Sequence, residues 1–138
     1  MADVARLADS LTILRLTLHV LAAAVWVGGQ FVVAGLLPTV RSLGDGATQK
    51  VARAFARLAW PAFGVLLATG VWNYAAAGRH ATASWNAAFA VKMAAVVVAG
   101  AATGLHTRAA TPRARGISAG VAALASTGAV ALGVALSG

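Results

Sequence analysis

An all-α integral membrane protein, a four-transmembrane-helix up-down bundle with both termini on the outer side, is the fold class this chain predicts. Three observations carry the prediction. The composition is 60% hydrophobic and 10% charged, with a mean hydropathy of +0.82, whereas charged residues make up about a quarter of a soluble domain. The apolar residues fall into four runs, about 11–37, 58–77, 85–105 and 117–136, each near the ~20 residues that cross a bilayer core. These runs with the short connections between them take up nearly all of the 138-residue chain, so a single membrane domain is expected and no soluble one.

The first run follows Arg6 and contains Arg15 and Ala22-Ala23-Ala24, features shared with a signal peptide. It continues to Leu37, beyond the about 7–15 apolar residues of such a segment, and therefore reads as a retained helix that Pro38 closes. Gly44-Asp45-Gly46 is a turn, and Gln49 to Leu58, with Lys50, Arg53 and Arg57, reads as an amphipathic cytoplasmic lead-in to the second helix. Gly78-Arg79-His80 with Thr82 and Ser84 forms the second connection, and Thr107 to Gly116, with Pro112, the third. Short connections make successive helices antiparallel.

The basic residues set the expected orientation. Arg41, Lys50, Arg53, Arg57, Arg108, Arg113 and Arg115 lie in the first and third connections, against Arg6, Arg15 and Arg79 on the other side. Positive charge collects on the cytoplasmic side, so a multi-pass protein of the cell (inner or plasma) membrane is expected, its termini outside. Trp72, Tyr74 and Trp85 then fall near the outer interface and Trp60 near the inner one. Small residues, Ala24, Gly28 and Gly35, Gly100 and Gly104, Gly116 and Gly120, suit close helix approach, chiefly within the bundle and alternatively between copies in a homo-oligomer.

Composition also excludes function classes. The formal charge of +8 does not imply nucleic acid, because no aromatic stacking platform interleaves the basic residues; they are topology signals. There is no cysteine, and the methionines are Met1 and Met93, which weakens any copper relay through soft sulfur. The only acids are Asp3, Asp9 and Asp45, all outside the apolar runs. Carboxylate pairs, proton relays through acids and a Ser-His-Asp triad are unsupported, and no glycine loop that cradles phosphate is present.

Besides Arg15, near the outer end of the first run, two ionisable residues lie deeper inside apolar runs, His19 and Lys92, and such residues mark functional sites in membranes. Counted from the outer ends, His19 is about nine residues deep and Lys92 about seven, or ~10–14 Å at 1.5 Å per residue. Three roles are open to His19: a hydrogen bond to a neighbouring helix, a metal ligand, or a proton carrier. Lys92 either snorkels to the outer headgroups, ligates iron as a neutral amine, or pairs as an ammonium with a cofactor carboxylate.

His19, Ala22, Ala23, Trp26 and Gln30 share one face of the first helix. Trp26 lies too deep for the interface, so it packs either in the core or on a cofactor ring. Lys92, Val96, Ala99, Thr103 and His106 share a side of the third helix, which makes His106, near the cytoplasmic surface, a further cofactor-binding candidate. His80 reads as a solvated loop residue, and Gln30 and Asn73 as interhelical hydrogen-bonding groups.

His19-Val-Leu-Ala-Ala-Ala-Val-Trp-Val-Gly-Gly-Gln-Phe, running on to Leu37-Pro38, with Val91-Lys92-Met93 and Arg108, resembles the CopD-like (copper-resistance protein D domain) membrane family. The likeness covers the first and third helices, about half of the chain. The chain is more distantly similar to the HemJ-type protoporphyrinogen oxidases, in which a first-helix His and a third-helix Lys are implicated in binding haem b; His19 and Lys92 match by position. The segment after Trp26 lacks the tyrosine and arginine of that family's Tyr-Leu-Pro-Arg pattern, which puts porphyrinogen oxidation, though not haem binding, in doubt.

The expectation is a small cytochrome-like membrane protein that binds haem b, with His19 as axial ligand and Lys92 as second ligand or propionate anchor. Electrons would pass to or from a membrane or periplasmic redox partner, and a haem oxidoreductase activity is left open. The rivals are a copper-handling or transport protein, as the family name implies, and a structural subunit without a cofactor.

Overall fold

The computed structural model describes residues 8–78 and 81–137. Arg6, Arg79 and His80, used above for topology or as a candidate, lie outside the described residues. Four helices make up the fold: α1 (Ser10–Ser42), α2 (Ala47–Ala77), α3 (Ala83–Arg108) and α4 (Pro112–Ala135), all long and apolar enough to cross a membrane. No strand occurs among the described residues.

The predicted helices all exist, and three local features move their ends. Pro38 does not close α1; the helix runs through it to Ser42. A proline deletes one backbone bond, but neighbouring helices hold such a helix together where a break would expose more unpaired groups, and Val40, two residues on, is buried. Termination comes at Ser42, whose hydroxyl donates to the Thr39 carbonyl at 2.7 Å, followed by Gly44 at φ 103° and Gly46 at φ 81°. Only glycine adopts these left-handed angles without strain.

The lead-in from Gln49 is not a separate segment, because α2 is continuous from Ala47 through Pro61 to Ala77. Its 31 residues exceed the ~30 Å hydrocarbon core by about three turns, and Lys50, Arg53 and Arg57 occupy that excess. The helices α3 and α4 begin earlier than predicted, at Ala83 and Pro112. Thr82 accepts from the Trp85 amide at 3.2 Å and Thr111 from the Ala114 amide at 3.1 Å. Thr111-Pro112 is an N-cap followed by a proline at the first helical position, where its missing N–H costs nothing.

The helices pair as two hairpins, α1 with α2 and α3 with α4. Residues 10–23 of α1 touch α2 far more than either helix of the second hairpin. The hairpins meet where Phe63 of α2 packs on Gly100 of α3, in space a Cβ would fill at 2.8 Å from the ring, and where Tyr74 stacks on Phe89 with centroids 4.6 Å apart.

Small residues dominate the interior: Ala22, Ala59, Ala99, Ala102, Ala122 and Ala129 are buried, with Trp26 and Val40 the larger buried side chains among the described residues. Large side chains such as Leu14, Val97, Ile117 and Leu124 are exposed, an inside-out pattern suited to lipid. Gly28, Gly35, Gly104, Gly116 and Gly120 face open space rather than a neighbouring helix, so of the glycines expected to pack within the bundle Gly100 alone does so tightly.

Candidate functional site

Between the hairpins lies a cavity of about 690 Å³, within the ~300–1,000 Å³ range of sites that enclose small molecules. All four helices line it, and both His19 and Lys92 are on its wall. The two residues matched by depth in the sequence are thus brought to one space by helices from different hairpins. Apart from Arg15, His19 and Lys92, the wall is mainly apolar, and among the described residues it carries no carboxylate.

His19 is oriented from behind. Its Nδ1 lies 2.7 Å from Thr69 Oγ1 of α2, and the same hydroxyl is 2.6 Å from the Val65 carbonyl and 3.3 Å from that of Leu66. A hydroxyl has one proton. With the hydroxyl proton given to these carbonyls, the threonine oxygen accepts from His19 Nδ1–H, and a neutral imidazole so bonded carries its lone pair on Nε2, the form a metal ligand requires. The imidazole lies over Gly70, next to Thr69, with Cε1 4.0 Å from the position of an added Cβ, an ordinary contact distance.

Lys92 reaches across to α4. Its Nζ is 3.1 Å and its Cε 3.7 Å from the point a Cβ would take on Gly133. The amine is therefore held against the opposite helix instead of lying along its own, and glycine at 133 creates the space. With Asp3, Asp9 and Asp45 all outside the spans, no acid within a span neutralises it.

Trp26 sits on the inner part of the wall, 3% exposed. It lies in a π-helical turn, Ala24–Gly28, that interrupts α1; such turns cluster at functional positions. Its Nε1–H donates to Ser126 Oγ of α4 at 3.2 Å, while its ring meets Phe63 at 4.4 Å and Trp60 at 5.6 Å. Trp26 therefore packs in the core, as one of its two expected roles requires, and it also borders the cavity. Gln30 Nε2 donates to the Trp26 carbonyl at 3.0 Å, so Gln30 serves the π-turn of its own helix and not a neighbour.

Other candidates are placed differently. Half-exposed His106 is remote from the cavity wall: its Nδ1–H donates to the Arg115 carbonyl at 3.0 Å, tying α3 to the first turns of α4. Asn73 is on the wall, but its buried Oδ1 has no partner, so the predicted interhelical bond is not formed there. Sequence reasoning passed over Thr69, Ser126, Gly133 and the cavity position of Arg15. A threonine next to glycine in an apolar run, Leu66-Leu67-Ala68-Thr69-Gly70, was the available signal for the first.

Among the described residues no three His, Cys, Asp or Glu side chains come together as a metal cage. No protein-family model, no curated protein and no solved structure matches the chain.

Proposed function

We propose that the protein is a small b-type haem-binding, cytochrome-like protein of the cell membrane, with both termini on the outer side. The observation that carries the proposal is the Thr69–His19 hydrogen bond, which would orient the imidazole so that Nε2 could hold the iron. Lys92, held against Gly133, would supply a second nitrogen donor or a counter-charge for a carboxylate, and Trp26 with Phe63 would bound the cleft. When bound, haem supplies one-electron redox chemistry. The chain's own task is to orient the imidazole and exclude water, with electrons exchanged with a membrane or periplasmic redox partner.

The test is an absorption spectrum of the detergent-purified protein, with and without added haem. A Soret band that is lost or shifted in His19→Ala is the expected result. Absence of the band after haem supplementation refutes haem binding, and a His19→Ala spectrum identical to wild type removes His19 from the role. Elemental analysis of the same sample separates haem iron from copper, since bound copper at fixed stoichiometry without a Soret band supports the copper-handling rival.

A further inference from the structure

Arg15, counted in the sequence only toward orientation, is the third cation on the cavity wall. It lies four residues before His19, which is about one helical turn or ~6 Å nearer the predicted outer end of α1 and close to the same face. The nearest acid in the sequence is Asp9, and both of its oxygens are engaged by Thr12, Oδ1 with the amide at 3.0 Å and Oδ2 with the hydroxyl at 2.8 Å. Asp9 is also six residues away on another face of the helix. A half-buried guanidinium beside an apolar cleft is stabilised by a planar anion, which its fork of N–H donors binds in a bidentate manner.

We infer that Arg15 is a specificity residue that pairs with a carboxylate of the bound ligand at the outer part of the cavity, so that the site selects carboxylate-bearing tetrapyrroles over neutral ones. This rests on the haem reading for the identity of the ring, while the charge requirement comes from Arg15 itself. His19 ligates, Arg15 reads the acid one turn away, and Lys92 faces the same space from α3.

The experiment titrates purified ligand-free protein with free-base protoporphyrin IX, which has two carboxylates and no metal, and with its dimethyl ester, following quenching of tryptophan emission. The wild type is expected to bind the diacid about tenfold more tightly than the diester, the size of one charge-assisted hydrogen bond. Arg15→Gln is expected to lose that preference while binding the diester as before, and Arg15→Lys to retain part of it. Unchanged diester binding also shows that the variant is folded.

Equal diacid and diester affinities in the wild type, or an equal loss for both ligands in Arg15→Gln, overturn the inference and leave Arg15 as a residue that snorkels to headgroups. If such a result accompanies a His19-dependent Soret band, the haem reading stands and only the carboxylate pairing falls. If haem and both porphyrins all fail to bind, both fall together.

Discussion

Replacing Thr69 by valine keeps the shape of the side chain and removes the acceptor behind His19. In the native arrangement Thr69 Oγ1 lies 2.7 Å from Nδ1 and 2.6 Å from the Val65 carbonyl, so a hydroxyl that donates to Val65 accepts from Nδ1–H. Thr69 is 4% exposed, so water cannot readily take the hydroxyl's place. A buried donor left without an acceptor costs about 1–3 kcal/mol, and loss of the partner behind a ligating histidine lowers metal affinity by about 10–100-fold. The two magnitudes agree, because about 1.4 kcal/mol corresponds to tenfold. Half-buried His19 can relieve part of the penalty by turning toward the cavity, which places the expected loss near the lower end, about tenfold. Haem titration of the purified variant, read at the Soret band, measures it, and Thr69→Ser should recover most of the affinity. A Thr69→Val protein with wild-type affinity and an unchanged spectrum would refute the orienting role.

Gly133→Ala should leave the fold intact, since the atom it crowds is the end of a flexible lysine; the thermal midpoint is expected to hold while the displaced Lys92 amine weakens haem affinity several-fold in titration. Trp26→Phe removes the indole bond to Ser126 at a buried site and should destabilise the bundle by about 1–3 kcal/mol, with Trp26→Ala costing about 3–5 kcal/mol; reversible unfolding in mixed micelles distinguishes the two. Asp9 titrates below the ordinary carboxylate value, held down first by the Thr12 amide and then by the Thr12 hydroxyl. Its capping contribution is therefore present above the unfolded value of about 3.9 and lost as the pH falls through the lowered folded value. Hydrogen exchange at the Thr12 amide should show that acid limb, and Asp9→Asn should flatten it.

The sequence carried the helices, and much of their ends, in local chemistry. Gly44 with Gly46 announced the first turn, whereas Thr111-Pro112 lies inside the stretch that the sequence reading assigns to the third connection, so α4 starts at Pro112 and not at the predicted 117. Pro38 misled because its rule holds for helices in water, where a broken turn is solvated; near the end of a membrane span the helix is retained at the expense of one bond. The depth of His19 and Lys92 was equally legible, since it needs only the 1.5 Å rise and a count from the helix ends.

Rotation of the helices about their own axes was not legible. In a soluble helix the polar face points to water, whereas here lipid and helix interface are similarly apolar, so hydropathy leaves the inward direction unmarked. Which residues met across the bundle, Thr69 with His19, Ser126 with Trp26, Gly133 with Lys92, was decided by how the two hairpins pack. Sequence alone determined that four apolar helices would each carry their few polar groups at definite depths. Tertiary structure decided that Arg15, His19 and Lys92 border one cavity, because partnership between helices depends on facing, and facing is a property of packing.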